Sequence, residues 1–402
     1  MHPWIGLWPS AYAVRAYDVL YALSALCFAA MALRLTRRQG LPAPLAMDLS
    51  AAYVLAMTVG ATLAYDLVYR QPWSLRAFRL GGVIEGGLYG GPAIALALIV
   101  ALAASMRWPV SALDMGTVCL ALGLTVAKLG CLMHGCCYGR PTGSPWAMVF
   151  PPGSYAPAGV PLVPTQALDA ALLAATALVL GIAHLRQRAR PGWLAVWFVL
   201  LFCAGRFVTE FGRDEARSPG LTMAQWALLA GLLGAAGLLS VAPAPWARLA
   251  AWLDARSTRR AAPVEPRGPR LLVRAGASAV DAALVAIWAV AAGPLLACVV
   301  AGIVFGLAPL AMGATPGMRV FGLRVVAEFG ARPRGRALLR GALLPLSVLS
   351  LFGCLRPLFD PQRRALHDVL SGTRVVPAAG ASRSRSEDAD SAPAGMTEVV
   401  RG

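Results

Sequence analysis

Charged residues are scarce in this 402-residue sequence, and lysine is almost missing from it. Asp, Glu, Lys and Arg together make up 14% of the chain, whereas soluble globular domains carry about 25%. Lys128 is the only lysine, and histidine occurs four times. These charges are too few to cover the surface of a water-soluble chain of this length, so the composition excludes an ordinary soluble domain.

Long apolar runs take the place of the missing charges. Hydrophobic residues make up 58% of the sequence, and the mean hydropathy is +0.64. A helix needs about 20 apolar residues to cross the hydrocarbon core of a bilayer. The N-terminus has no charged segment followed by a small-residue cleavage site, so the first run is predicted to be a permanent span. We expect an all-α polytopic membrane protein with seven helices in its first part, at 17–33, 45–65, 86–105, 111–127, 165–185, 192–209 and 221–242.

The pattern changes after the seventh helix. A Pro- and Arg-rich stretch predicts a basic interfacial linker, and apolar segments at 275–292 and 294–311 predict two further spans. A shorter segment, 341–359, is barely long enough to cross, so a re-entrant or interfacial placement stays open. The last residues have low hydrophobicity and are predicted to be disordered. The resulting boundaries are 1–245 for the seven-helix domain, 246–270 for the linker, 271–377 for a smaller two-to-three-helix membrane domain and 378–402 for the tail.

The formal net charge of +17 has an explanation in membrane topology. Arginines gather at 34–38, 186–190 and 248–274, beside predicted helix ends, and basic residues are concentrated in the cytoplasmic loops of membrane proteins. No nucleic-acid partner is therefore expected. The arginine-richer connections follow helices 1, 3, 5 and 7, which places the N-terminus outside and the linker in the cytoplasm.

Six ionisable residues are nevertheless predicted in the helices or at their outer ends. Such groups are costly at membrane depth unless they are paired or face water, so they indicate a functional site. The alternative is that they extend to the interface or hold helices together. Arg206 and Glu210 are four residues apart and share a helix face, with Arg213 one turn further. Arginine forks match two phosphate oxygens, so this face predicts an anion site. The six are Glu85, Lys128, Asp169, Arg206, Glu210 and Arg213.

The densest group of reactive side chains lies in KLGCLMHGCCYGRPTG, residues 128–143. Three interpretations stay open. Cys131, His134, Cys136 and Cys137 bind a soft metal ion, two of them form a disulfide such as Cys131–Cys136, or small residues pack in a loop that lines a pocket. Zinc sites usually draw their cysteine pairs from two places in the sequence, whereas here one place would supply all of them. No metal ligand and no cofactor is therefore assigned.

KLGCLMHGCCYGR resembles a divergent form of the signature of the prolipoprotein diacylglyceryl transferase family. Four more stretches agree with that family in order and spacing, and together they cover residues 15–240: IEGGLYGG, VPTQALDA, GRFVTEFGRD and LTMAQW. The resemblance implies a seven-helix transferase-like bundle. It also implies transfer of the diacylglyceryl group of phosphatidylglycerol to the lipobox cysteine thiol of a prolipoprotein, at the outer face of the bacterial inner membrane. The lipid, the lipobox peptide and the bilayer are then the partners.

The resemblance also implies roles for positions in this sequence. Arg206 and Glu210 match catalytic residues of the family, and Glu85 stands where the family has its catalytic histidine. Lys128 stands in the place of an essential arginine, although lysine cannot form a bidentate fork with phosphate. Cys131 and Cys136 replace an asparagine and an acidic residue. The implied substrate-binding positions are Lys128, Gly130, Cys131, Cys136, Gly139, Thr165, Gln166 and Arg213.

Residues 270–377 resemble a second family, the RDD membrane domain. The matching stretches are RAGASAVDAAL, GATPGMRVFGLRVV and RRALHDVLSGTRVV, and Arg274, Asp281 and Asp368 are the residues that correspond to the family name. MRVFGLRVVAE alternates as a strand does. Two alternatives to the transfer reaction stay open. One is a phospholipid-dependent transferase with another acceptor, and the other is a catalytically silent scaffold or transporter in which the RDD part has the main role.

Overall fold

The protein is represented by a computed structural model with two compact units. One unit comprises Met1–Pro263 and Leu349–Phe352, and the other comprises Val264–Val348 and Gly353–Gly402. The residues that the structure describes are 4–5, 14–60, 94, 97–101, 108–186, 191–213, 220–240, 247–248, 251–252, 255, 268–292, 299–327 and 334–378.

The first unit is a helical bundle. Two short antiparallel ribbons accompany it, β1 (Trp4–Ile5) with β2 (Val14–Arg15) and β3 (Met148–Val149) with β4 (Pro161–Leu162). A π-helical turn, Ala56–Gly60, extends the second helix. The helices are α1 (Ala16–Arg38), α2 (Pro44–Leu55), α3 (Ser111–His134), α4 (Thr165–Leu185), α5 (Trp193–Glu210) and α6 (Met223–Ser240).

Within the described part of the chain, α1, α3, α4, α5 and α6 are each long and apolar enough to cross a membrane. Helix α6 shows the expected surface most clearly, because only Gln225 and Ala235 are buried in it while large apolar side chains such as Leu233 are exposed. A helix that is apolar all round is typical of a lipid-facing span. The predicted polytopic all-α membrane architecture is confirmed.

Helix α3 is the centre of this bundle, and small residues let its neighbours approach. It packs against α1, α4 and α5, and most of its length is buried. Gly116, Gly123 and Gly130 recur every seven residues along it. A Cβ atom at Gly123 would lie 3.0 Å from the ring of Tyr53, and one at Gly130 would lie 3.3 Å from Leu20 Cβ. Glycine at this spacing therefore permits close helix packing of the kind that membrane proteins favour.

Several predicted boundaries differ from the structure. Helix α1 extends to Arg38 instead of residue 33, and α3 extends to His134 instead of residue 127. The prediction places Lys128 in the loop after this helix, but Lys128 is buried and the helix ends only at Gly135, where φ is 82°. Glycine reaches this left-handed conformation without steric cost.

Part of the predicted third helix lies outside the described residues. Of 86–105, residue 94 and residues 97–101 are described and are helical, and Ile99 is fully buried. Glu85 and most of the IEGGLYGG stretch lie outside the described residues, as does nearly all of the linker and tail.

The second unit combines helices with a two-stranded sheet. Strand β5 (Leu323–Ala327) pairs antiparallel with β6 (Thr373–Pro377). The strand predicted within MRVFGLRVVAE is confirmed for β5, whereas the preceding residues complete a short helix. A π-helical turn lies at Ile303–Leu307, and a 3₁₀ turn lies at Arg356–Leu358. The helices are α7 (Leu271–Ala292), α8 (Ala308–Met312), α9 (Pro316–Val320), α10 (Arg334–Ser350), α11 (Phe352–Leu355) and α12 (Leu366–Ser371).

The short apolar segment predicted at 341–359 is bent. Residues Gly335–Ser350 and Phe352–Leu358 meet at an angle of 106°, and Leu351 between them has a φ of 55°. A straight crossing is therefore excluded for this segment, and a broken span or a re-entrant loop remains.

Buried charges hold the second unit together. The Asp368 carboxylate is fully buried. It pairs with the Arg274 guanidinium and accepts a hydrogen bond of 2.8 Å from Arg340 Nε. It also accepts a hydrogen bond of 2.9 Å from the backbone N–H of Ala365. Burial alone would raise the pKa of Asp368, but the charges of Arg274, His367 and Arg340 hold it well below its usual range.

Asp281 has a different role although it shares α7 with Arg274. Its carboxylate accepts hydrogen bonds from Thr315 Oγ1 at 2.5 Å and from the backbone N–H of Gly317 at 2.7 Å. The N-terminus of α9 is therefore bound by an acidic side chain from another helix, which satisfies its free N–H groups. Both residues of α7 tie sequence-distant segments to one helix.

We predict that Asp368→Asn lowers the thermal unfolding temperature of the purified protein in detergent. The change leaves two buried arginines without a counter-charge, which costs about 3–5 kcal/mol. Because the pKa of Asp368 is depressed, its carboxylate stabilises the fold above about pH 4, and this stabilisation is lost as the pH falls. Arg319→Ala removes an exposed arginine of the same unit and is the control. Equal unfolding temperatures for the two variants at neutral pH would contradict the role of Asp368.

Candidate active site

One buried carboxylate gathers the cations of the first unit. Asp169, on the first turns of α4, is 1% exposed. Its Oδ2 atom lies 2.9 Å from Lys128 Nζ, 3.4 Å from Arg213 Nη2 and 3.7 Å from Arg206 Nε. Its Oδ1 atom accepts a hydrogen bond of 2.7 Å from Thr209 Oγ1. The ends of α3, α4 and α5 therefore meet at one carboxylate.

A second carboxylate stands behind the two arginines. Glu210, the last residue of α5, is fully buried and pairs with Arg206 on the preceding turn. Its Oε2 atom lies 3.5 Å from Arg213 Nε, and its Oε1 atom accepts a hydrogen bond of 3.2 Å from Thr222 Oγ1. The predicted shared face of Arg206 and Glu210 is confirmed. Arg213 differs from the prediction, because α5 ends at Glu210 and the arginine reaches back from the following loop.

All of these charged side chains except Glu210 line a narrow cleft. Three cations and two carboxylates leave the group with one net positive charge, which suits a singly charged anion. One wall is polar and the other is apolar, so the cleft fits an amphiphile with an anionic head. The lining residues are Lys128, Cys137, Asp169, Arg206 and Arg213 on the polar side and Leu172, Leu173, Phe202 and Leu228 on the apolar side.

The loop after α3 is fixed by the start of α4. Thr165 Oγ1 donates to the backbone carbonyl of Cys137 at 2.6 Å, and Gln166 Nε2 donates to that of Cys136 at 2.8 Å. Within the described residues, the buried Gln166 Oε1 accepts no hydrogen bond. Both side chains therefore hold the loop, and the free amide oxygen of Gln166 is an acceptor still available to a donor.

Gly139 allows the loop to cross two other segments closely. Its N–H donates to the carbonyl of Val163 at 2.9 Å. A Cβ atom at this position would lie 2.5 Å from the carbonyl oxygen of Gly212 and 2.7 Å from Val163 Cβ. Any side chain here would push the loop away from the start of α4 and from the segment that carries Arg213.

Three thiols converge where α3 passes into this loop. The Sγ atoms of Cys131, Cys136 and Cys137 all lie within 4.8 Å of one another. Cys131 is on the last turn of α3, whereas the other two are in the loop. Hydrogen bonds with Cys131 and Cys136, and then the charges of Lys128 and Arg213, hold the pKa of the Cys137 thiol well below its usual range. Hydrogen bonds with Cys131 and Cys137 raise the pKa of Cys136.

His134 lies apart from the three sulfur atoms. Its ring is 5.3 Å from the ring of Tyr17 and 5.9 Å from the ring of Tyr155. In the described part of the chain, the three cysteines are therefore the side chains that could share one ligand. His134, which the metal interpretation of the sequence includes, is not among them.

Most of the predicted site residues come together, in different roles. Lys128, Arg206 and Arg213 line the cleft, while Glu210, Thr165, Gln166 and Gly139 support it from behind. Gly130 packs against α1, and Cys131 and Cys136 stand beside the lining residue Cys137. Glu85 lies outside the described residues.

Sequence reasoning missed several residues of the site. The predicted depth of Asp169 in the membrane is the signal that identifies it, but the sequence alone does not assign it to the site. Thr209 and Thr222 carry no such signal, since hydroxyl residues are common in membrane helices. Cys137 was grouped with its neighbours, but only the fold shows that it faces the cleft.

Comparisons with known proteins match two families, one for each part of the chain. Residues 7–241 match the family model for prolipoprotein diacylglyceryl transferase, and residues 264–372 match that for the RDD family.

Named relatives align with the first of these regions. The phosphatidylglycerol–prolipoprotein diacylglyceryl transferase 2 of Clostridium perfringens is 29% identical over 211 residues, which is 51% of this chain and 80% of the relative. The phosphatidylglycerol–prolipoprotein diacylglyceryl transferase of Geobacter sulfurreducens is 31% identical over 236 residues, which is 56% of this chain and 85% of the relative. The corresponding transferase of Bordetella parapertussis is 30% identical over 196 residues, which is 46% of this chain and 73% of the relative.

We predict that Gly139→Ala destabilises the loop whereas Gly143→Ala does not. A methyl group at 139 would collide with backbone and side-chain atoms, which costs about 1–3 kcal/mol, while a Cβ at 143 meets nothing within 4 Å. Thermal unfolding in detergent and the rate of alkylation of Cys136 and Cys137 measure the effect. The loop contact is wrong if both variants unfold and react alike.

Proposed function

The chain belongs to the prolipoprotein diacylglyceryl transferase family, and on this basis we propose that it transfers the diacylglyceryl group of phosphatidylglycerol to the lipobox cysteine thiol of a prolipoprotein. The activity is assigned to residues 1–245. The RDD-like part, 271–377, and the linker between them are given no step in the reaction.

The observation that carries the proposal is the arrangement of charge around the cleft. Phosphatidylglycerol has one phosphodiester charge and two acyl chains. Lys128, Arg206 and Arg213 line the polar side of the cleft, and leucine and phenylalanine side chains line the other. The single net positive charge balances the lipid phosphate, and the apolar wall matches the glycerol backbone and the first acyl carbons. A guanidinium fork binds two phosphate oxygens at once.

The same cations suit the chemical step. The thiolate sulfur of the acceptor attacks the glyceryl carbon bonded to the phosphate oxygen. An S–C bond forms, the C–O bond breaks, and glycerol phosphate leaves with the electron pair of that bond. The phosphate therefore gains one negative charge as it departs. Fixed cations in a poorly hydrated cleft stabilise this developing charge more strongly than water does.

The two carboxylates keep the cations in place. Without Asp169 and Glu210, three positive charges in one buried cluster would repel one another. Glu210 is therefore proposed to position Arg206 and Arg213, and Asp169 to position Lys128 against both arginines. The proposed acid–base partner of the incoming thiol is Glu85, at the position of the family's histidine, because a carboxylate with a raised pKa can serve as a base.

Five apolar helices and the family matches establish a multi-pass membrane protein. We propose that it lies in the bacterial inner membrane with the cleft toward the outer face and the linker in the cytoplasm. The support is the distribution of arginine between alternate connections. Exposure on the outer face also agrees with a substrate that is a secreted protein precursor.

We predict that Arg206→Ala lowers transfer by about 100-fold or more, because removing one donor that stabilises developing negative charge typically costs about 10²–10³ in rate. The assay follows glycerol phosphate release from phosphatidylglycerol and the mass of a lipobox peptide. Arg186→Ala, which removes an exposed arginine at the far end of α4, keeps normal turnover. Normal turnover in folded Arg206→Ala protein rules out the proposed role of Arg206 in stabilising the charge of the departing phosphate.

The same assay separates the alternative functions. A gain of diacylglyceryl mass on the peptide cysteine supports the proposed acceptor. Lipid-dependent glycerol phosphate release without a modified peptide points to a transferase with another acceptor, and absence of release from folded wild-type protein points to a silent scaffold.

We predict that Glu85→Gln lowers transfer by about 100-fold, since a positioned general base typically contributes about 10²–10⁴ in rate. The amide keeps the size of the side chain but cannot take a proton. Binding of phosphatidylglycerol is expected to be unchanged, because the phosphate is held by other residues. Equal rates for Glu85→Gln and the wild-type protein would remove Glu85 from the mechanism.

A further inference from the structure

The three converging thiols are not used by the mechanism above. Cys131 is 2% exposed, Cys136 and Cys137 are half-buried, and their sulfur atoms lie within 4.8 Å of one another. Cys136 and Cys137 are adjacent in sequence, so an ordinary loop would direct their side chains apart. Here the fold directs all three to the same point.

The surrounding structure maintains this convergence. Gly135, at a φ of 82°, ends α3 and reverses the chain, and Cys137 itself has a φ of 58°. A left-handed conformation at a non-glycine residue is sterically unfavourable and persists only when neighbouring contacts impose it. The contacts are the hydrogen bonds from Thr165 and Gln166 to the carbonyls of Cys137 and Cys136. The cluster is thus a built feature of the site.

Three sulfur ligands select a soft metal ion. Zinc is bound by thiolates at about 2.3 Å, which places the corners of a tetrahedral site about 3.8 Å apart. Sulfur atoms within 4.8 Å reach that spacing by side-chain movements of about 1 Å or less, well within rotamer adjustment. Thiolate ligands favour zinc over the hard ions magnesium and calcium.

The electrostatic surroundings favour such a complex. One zinc ion with three thiolates carries one net negative charge, and Lys128 and Arg213 line the same cleft as Cys137. These nearby cations lower the electrostatic cost of placing a negative complex there. A catalytic zinc site has three protein ligands and one open position, and Cys137 faces the cleft, so the open position is reached from the side where the lipid phosphate binds.

We propose that Cys131, Cys136 and Cys137 bind one zinc ion and that the fourth coordination position takes the thiol of the acceptor peptide. The second part of this proposal rests on the transfer reaction proposed above. A thiol bound to zinc is deprotonated, and its proton passes to the acid–base partner of the proposed reaction as the sulfur binds. The zinc-bound sulfur then attacks the glyceryl carbon, the C–O bond to phosphate breaks with its electron pair, and the thioether product leaves the metal because it carries no charge. No oxidation or reduction takes place.

The test begins with metal binding, independent of activity. The full-length protein is purified in detergent under reducing conditions, incubated with zinc chloride, desalted and analysed for zinc by mass spectrometry. We expect about one zinc per chain, falling to about a tenth of that or less in Cys131→Ala, Cys136→Ala and Cys137→Ala, because each removes one of three protein ligands. Cys27→Ala, on α1, keeps the full content. Cobalt in place of zinc gives thiolate-to-cobalt absorption that disappears in the same three variants.

Two results overturn the metal site. One is folded, reduced protein that retains no zinc. The other is zinc that remains bound in all three cysteine variants. A disulfide between two of the three cysteines, found by peptide mass in protein that takes up no zinc after reduction, would identify the cluster as a redox pair instead.

A second measurement separates this inference from the proposed function. Chelated protein is assayed for transfer with phosphatidylglycerol vesicles and a lipobox peptide, before and after zinc is restored. Loss and recovery of transfer by about 100-fold support zinc activation of the thiol, within the range expected of a positioned catalytic group. Full transfer by metal-free protein overturns the activating role of zinc and leaves the proposed function standing. One bound zinc without transfer under any condition supports the metal site and overturns the proposed reaction together with the activating role.

Discussion

The ion pairing of the buried Asp169 carboxylate with three cations is the interaction on which the first unit depends. Charged groups in a bilayer protein are tolerated only when they are paired or face water, and three cations converge on this one buried side chain. Asp169 lies on α4, Lys128 on α3 and Arg206 on α5, while Arg213 lies in the loop after α5. The ends of these helices must therefore meet at one point, and the cleft is the space left between those ends.

Packing elsewhere in the unit serves the same convergence. The glycines of α3 let α1 and α2 approach it, which fixes the axis of the helix that carries Lys128 and Cys131. Gly139 and the hydrogen bonds from the start of α4 then fix the loop that follows. The cation from α3 and the thiols beside it are thus placed by backbone contacts, so their positions do not depend on a bound substrate.

The resemblance to the family implies several departures at the positions of its site residues. It places a lysine where the family has an arginine, cysteines where it has an asparagine and an acidic residue, and a glutamate where it has a histidine. Lysine carries the same charge as arginine, but its ammonium group cannot form two parallel hydrogen bonds to one phosphate. A lysine at position 128 therefore keeps the positive charge of the cleft and gives up one bidentate contact. Three thiols converge beside these cations, and one of them lines the cleft. The zinc ion proposed to bind there would help to activate the acceptor thiol.

The sequence alone determined the membrane class, most helix positions and the local pair Arg206–Glu210, because hydropathy and helical periodicity are properties of neighbouring residues. It also marked the buried charges, since their cost in a bilayer does not depend on their partners. Only the tertiary structure decided that Asp169 joins Lys128 to Arg206 and Arg213, that α3 continues through Lys128 to His134, and that three sulfur atoms meet while His134 turns away. Those outcomes follow from contacts between residues 28 to 44 positions apart and from one left-handed glycine. Helix packing sets such contacts, and no local pattern in the sequence encodes them.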